Sequence, residues 1–147
     1  MTDSELIRFV DAQEPVHAEV SRELEQGRKR THWMWFIFPQ LEGLGHSQMA
    51  QFYGIRDLDE ARRYLADPVL GPRLRHHVQL MLGHKHEEPE AILGSIDARK
   101  FRSCLTLFRE AASEEADHNL FAEALDQFYH GAADPKTLDL LGEVSRR

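Results

Sequence analysis

Side chains that could bind an anion surround an unusually aromatic run, residues 32–38. Arg28 precedes the run, His32 begins it, and Gln40 follows it. The ordinary pKa of histidine lies near neutrality, so His32 is the candidate general acid or base. A cation and an amide beside large aromatic rings suit a small anionic ligand, with a nucleotide as one candidate.

Two more polar side chains lie three positions apart on a predicted helix, Lys100 and Ser103. This spacing places both on one flank, at the margin of the helix's apolar face. If the flank meets the aromatic run, Lys100 would help Arg28 to hold an anion, and Ser103 would orient the ligand. Trp33 or Trp35 would then form the wall of the site. The alternative is that each polar group satisfies backbone groups or forms surface ion pairs.

The loop after the aromatic run is the other candidate for anion contact. Gly43 and Gly45 precede Ser47, which is a predicted helix N-cap, and backbone amides at such a position can approach an anion. The dinucleotide-binding fingerprint is incomplete, because Gln48 occupies its third glycine position and no strand precedes the loop. A purely structural turn is therefore the alternative.

Histidine and cysteine chemistry receives little support. The pair His76–His77 and the segment 84–88 lack the spacing that brings metal ligands together, so we predict no metal and no cofactor. Cys104 lies between Phe101 and Phe108 on a predicted core face, which indicates burial rather than a nucleophilic role. As the single cysteine, it allows no intramolecular disulfide, in keeping with a reducing cytoplasm.

The aromatic run itself predicts a short buried helix around which the rest of the chain packs. Residues 32–38 carry no charge at neutral pH, and six of the seven side chains are large and apolar. A lone strand would leave its backbone groups unpaired, and the other periodic segments are helical. We predict Thr31 as the N-cap and Pro39 just beyond the end of the helix.

The remaining chain alternates apolar residues at helical spacing with frequent stop signals. This pattern predicts an all-α fold, a bundle of about seven to nine short helices forming one domain over residues 1–147. The predicted helix starts share a capping side chain and lie at Ser47, Asp57, Asp67, Asp97, Asp117 and Asp134.

Charge and hydropathy narrow the class of partner. The formal net charge of −7 argues against a general nucleic-acid binder, whose affinity comes from neutralising phosphates. No run approaches the roughly 20 apolar residues of a membrane span, and the N-terminus lacks the features of a signal peptide. We therefore expect a cytoplasmic protein that binds neither nucleic acid nor membrane.

The aromatic motif and several later segments resemble one bacterial family. These segments are His32–Gln40 (His-Trp-Met-Trp-Phe-Ile-Phe-Pro-Gln), Gly43–Gly45, Tyr53–Ile55, Ile92–Gly94 and Thr106–Phe108. The chain resembles the family called domain of unknown function 1810. The resemblance implies a mainly helical domain in the bacterial cytoplasm and supplies no activity and no catalytic residue.

Two functions follow as hypotheses. The first is a small-molecule pocket beside residues 28–47, with a hydrolase or transferase reaction left open. Its predicted catalytic group is His32. The predicted ligand contacts are Arg28, Trp33, Trp35, Gln40, Ser47, Lys100 and Ser103. The second is a non-catalytic helical module that docks a protein partner, with the acidic segment 113–117 as part of its surface.

Overall fold

The chain folds into ten helices in a computed structural model that describes residues 4–145, with side chains through residue 142. Their bounds are α1 (Ile7–Gln13), α2 (His17–Gln26), α3 (Met34–Ile37), α4 (Gln48–Phe52), α5 (Leu58–Ala66), α6 (Leu70–Leu82), α7 (Pro89–Leu93), α8 (Ser95–Ala111), α9 (Glu115–Tyr129) and α10 (Pro135–Ser145). Seven of the ten have seven or more residues. The predicted all-α class is confirmed; within the described residues the only β pairing is an isolated bridge between Leu41 and Ile55.

Helix α8 occupies the middle of the fold. It packs against α5, α7, α9 and α10. Residues 103–108 are buried without interruption, as expected for a helix surrounded by other helices. The predicted core residues Phe101, Cys104, Leu105 and Phe108 are each fully buried.

The aromatic run is interior, as predicted, although its helix is shorter than expected. Trp33, Phe36 and Phe38 are buried, whereas Trp35 is only partly buried. Helix α3 covers four residues and begins after Trp33, so the prediction of Thr31 as N-cap is wrong. The Thr31 hydroxyl instead donates to Glu23 on α2, at 2.7 Å.

Some of the predicted N-caps are confirmed and others are wrong. Ser47 accepts from the Ala50 amide, and Asp57 accepts from the Glu60 amide, as N-caps do. Asp134 accepts from the Thr137 amide at 3.1 Å and begins α10. Asp67 accepts from the amides of Val69 and Leu70 at the start of α6, which begins at Leu70 rather than at Pro68.

Two capping predictions are wrong because the helices begin before these residues, with Gly94 as the N-cap of α8 and Glu114 as the N-cap of α9. Asp97 lies in the first turn of α8 and pairs with Lys29 at 3.1 Å. Asp117 lies in the first turn of α9 and pairs with Arg75 at 2.7 Å. Both side chains still lie where a helix dipole favours negative charge.

Within residues 4–145, every helix is too short or too polar to span a lipid bilayer.

Candidate functional site

Two adjoining cavities lie where the aromatic run, the loop after it, α8 and α10 meet. The outer cavity is open to solvent and has a volume of about 320 Å³. The inner recess has a volume of about 10 Å³, room for roughly one water molecule. The outer lining consists of Gln40, Leu44, Gly45, Ile96, Arg99, Lys100, Ser103, Asp134 and Lys136. The inner lining consists of Met34, Trp35, Phe38, Gln40, Ala50, Tyr53 and Lys100.

Four of the eight predicted site residues meet here. Gln40 and Lys100 line both cavities, Trp35 lines the inner recess, and Ser103 lines the outer cavity. Gln40 arrives on the loop that follows α3, whose backbone pairs with Ile55. The predicted flank of α8 therefore does face the end of the aromatic run.

Lys100 borders both cavities, and only weak electrostatic contacts hold its ammonium group. Its ammonium nitrogen lies 5.5 Å from the centre of the Trp35 ring, within the range of a cation–π contact. The same nitrogen lies 3.9 Å from Asp97, beyond hydrogen-bonding distance. Asp97 is held more closely by Lys29, at 3.1 Å. The Lys100 charge is thus only weakly satisfied by the protein.

Ser103 has a structural task as well as a place in the cavity wall. Its hydroxyl oxygen lies 3.2 Å from the Arg99 carbonyl and 3.1 Å from the Asp134 carboxylate. The same Asp134 oxygen accepts from the amide and hydroxyl of Thr137. These contacts fix the start of α10 against α8 and so place Lys136 at the cavity.

Arg99 and Lys136 are cavity residues that the sequence analysis missed. Both are exposed, and neither forms an ion pair with another described residue. With Lys100 they give the outer lining three cations against one carboxylate, Asp134. Arg99 carries a sequence signal, because it adjoins Lys100. Lys136 carries none, because its position depends on how α10 docks.

The other four predicted residues lie outside the two linings. Arg28 is exposed and pairs with Glu87 at 3.7 Å, and His32 is exposed. Ser47 caps α4. Trp33 is buried and donates its indole hydrogen to Glu23 at 3.0 Å. The fold therefore does not bring Arg28 and His32 together with Lys100 in a single site.

Glu23 explains why the segment before the run is fixed. Burial acts to raise the pKa of this carboxyl, but hydrogen bonds from Arg30, Thr31 and Trp33 outweigh it and lower the pKa from 4.5 to about 2. The backbone amides of Arg30 and Thr31 donate at 2.7 and 3.0 Å. Glu23 is therefore a buried anion whose partners belong to the aromatic segment.

Two buried side chains are unsuited to chemistry at this site. Burial raises the pKa of the Cys104 thiol well above its ordinary value, so the thiolate nucleophile is suppressed. Burial, with the charges of His76, Arg73 and His17, lowers the pKa of His77 to about 3. No three potential metal ligands converge among the described residues.

A family model described as "Protein of unknown function (DUF1810)" matches residues 3–141. The chain belongs to the DUF1810 family. It is also similar to the crystal structure of the conserved hypothetical protein Rv1873 from Mycobacterium tuberculosis, with 45% sequence identity and a TM-score of 0.90. That match covers 94% of this chain and 96% of the mycobacterial one. No curated protein matches the chain.

Proposed function

We propose that this DUF1810 member binds a small anionic ligand in the outer cavity, with Lys100, Arg99 and Lys136 as the cations. The observation that carries the proposal is the shared lining: Gln40 and Lys100 border both an open, cationic cavity and an aromatic recess. The cavity volume lies at the lower end of the range typical of ligand pockets. A compact anion fits this combination of size and charge.

The proposal is limited to binding. The one carboxylate among the described residues of the outer lining, Asp134, holds the start of α10 through three hydrogen-bond donors. His32, the predicted general acid or base, lies outside both linings. A hydrolase or transferase reaction therefore gains no support from the cavity itself.

The proposed partner is a metabolite of the cytoplasm. The net charge of −7 opposes the phosphate backbone of nucleic acids, whereas a local group of cations can still attract a small anion. The single cysteine, buried in α8, is compatible with a reducing compartment.

The test is a thermal-shift and calorimetric comparison of inorganic phosphate, adenosine monophosphate and glucose 6-phosphate. At least one should stabilise the wild-type protein. Lys100→Met should weaken its binding by about tenfold or more, because a charged hydrogen-bond partner is lost. Lys85→Met is the matched control, since Lys85 is exposed and outside both linings. Equal affinities in the two variants would contradict the proposal.

A protein-docking module is the second candidate, and exposed apolar side chains favour it. Phe52 is 59% exposed on α4, Ile96 is 64% exposed on α8, and Met49 and Leu138 are also exposed. In the acidic segment, residues 113–116 face solvent, but Asp117 is buried against Arg75. Light scattering and affinity purification test this candidate, with Phe52→Ser as the control variant. The candidate is rejected if the protein is a monomer and captures no partner whose binding depends on Phe52.

A further inference from the structure

Two long side chains form the boundary between the two cavities. Gln40 and Lys100 belong to both linings, so they lie where the outer cavity meets the inner recess. At about 10 Å³, the recess admits no aromatic ring while these side chains keep their positions. A ligand ring that enters from the outer cavity can stack on Trp35 in this recess only if the boundary opens.

Lys100 is held weakly enough to leave. Its contacts with the Trp35 ring, at 5.5 Å, and with Asp97, at 3.9 Å, include no direct hydrogen bond. Lysine has a flexible four-carbon stem, so its ammonium can swing while its backbone remains in α8. An anion between Arg99 and Lys136 would offer this ammonium a closer partner than either present contact.

The departure of Lys100 would not leave a buried charge without a partner. Asp97 keeps its ion pair with Lys29, at 3.1 Å. Lys29 in turn donates to the Thr31 carbonyl at 2.6 Å and lies 5.0 Å from the centre of the Trp33 ring. The remaining network therefore stays satisfied when the Lys100 ammonium turns towards the outer cavity.

We propose that Lys100 is a gate over Trp35, which opens when an anion binds in the outer cavity and admits the ligand's own aromatic ring. This inference rests on the proposed anion binding and specifies the ligand class: a compact anion that carries one flat ring system. The anionic part engages Lys100, Arg99 and Lys136, and the ring replaces the ammonium against the indole. The outer cavity of about 320 Å³ lies at the lower end of the volumes of small-molecule pockets, which suits a ligand the size of a mononucleotide.

The experiment divides the ligand into its two parts. Adenosine is titrated with and without saturating inorganic phosphate, and binding is followed by tryptophan fluorescence and calorimetry. Phosphate should raise the affinity for adenosine about fivefold or more, because one part opens the site for the other. The chain has two tryptophans, and Trp33 is buried against Glu23, so Trp35→Phe should remove the fluorescence change.

Variants at the gate make the test specific. Lys100→Ala uncovers the ring, so adenosine should bind without phosphate, and its affinity should no longer respond to phosphate. Lys85→Ala should behave as the wild type. If phosphate binds to the wild type but leaves adenosine binding unchanged, the gate is wrong and anion binding stands. If neither phosphate nor adenosine monophosphate binds, both the gate and the proposed function are overturned.

Discussion

The indole nitrogen of Trp33 donates to the carboxylate of Glu23 across a buried 3.0 Å hydrogen bond, which joins α2 to the aromatic run. The same carboxylate accepts from the amides of Arg30 and Thr31 and from the Thr31 hydroxyl. One side chain thus satisfies the donors of a segment that has no regular secondary structure. This contact fixes where the aromatic run enters the core.

Replacing this carboxylate should be costly. In the wild type these donors face a charged carboxylate, whereas Glu23→Gln presents them with a neutral amide. We expect the free energy of unfolding to fall by about 2–4 kcal/mol. Urea denaturation measures the change. Glu25→Gln, at an exposed position on the same helix, is the control and should change stability by less than about 0.5 kcal/mol. Equal effects of the two substitutions would show that the buried network does not hold the segment.

Acid should remove the contribution of Glu23. Its folded pKa of about 2 is below the unfolded value of 4.5. The stabilisation is therefore complete above pH 4.5 and is lost as the pH falls towards 2, by about 3 kcal/mol in total. The wild type should lose more stability over this interval than Glu23→Gln does. Parallel pH profiles of the two proteins would refute the assignment.

His77 should make the fold sensitive to milder acid. Its folded pKa of about 3 lies below the unfolded value of 6.5, because burial disfavours the imidazolium. The unfolded state binds the extra proton, so stability is complete above pH 6.5 and falls by about 2 kcal/mol between pH 6.5 and 4.5. His77→Leu should flatten this part of the profile, with His86→Leu, at an exposed position, as the control. An unchanged slope would mean that His77 accepts a proton in the folded protein.

Two helical glycines should respond oppositely to alanine. A Cβ at Gly71 would lie 2.2 Å from the Leu65 carbonyl oxygen, so Gly71→Ala must displace backbone and should destabilise the fold by about 2 kcal/mol or more. A Cβ at Gly142, in α10, meets no atom within 4 Å among the described residues. Gly142→Ala should stabilise the helix by about 0.5–1 kcal/mol. Thermal unfolding of both variants measures these changes in stability. If both substitutions stabilised the protein, or both destabilised it, the packing described for these two glycines would be contradicted.

The elements that were predictable from sequence depend on local spacing and local caps. The apolar face of α8 and the caps Ser47 and Asp57 are set by residues within a few positions of one another. The failures involve partners distant in sequence. Thr31 donates to Glu23 instead of capping α3, and Asp97 pairs with Lys29 instead of capping α8.

The candidate site shows the same division. The flank of α8 that carries Lys100 and Ser103 follows from helical periodicity, and its meeting with Gln40 required only that the aromatic run pack against it. Lys136 could not be found in this way, because contacts between α10 and α8 place it. Arg28 is near the aromatic run in sequence, but its exposed side chain pairs with Glu87 and lies outside the lining of both cavities.

The proposed anion site lies in the outer cavity, whose lining includes Gln40, Lys100 and Lys136. An NMR titration of isotopically labelled protein with adenosine monophosphate tests it most directly. We expect the largest shifts at the backbone amides of Gly45, Lys100 and Lys136 and at the indole N–H of Trp35, with the indole of Trp33 little affected. Shifts centred on Arg28 and His32, or no saturable shifts with this nucleotide or with inorganic phosphate, would contradict it.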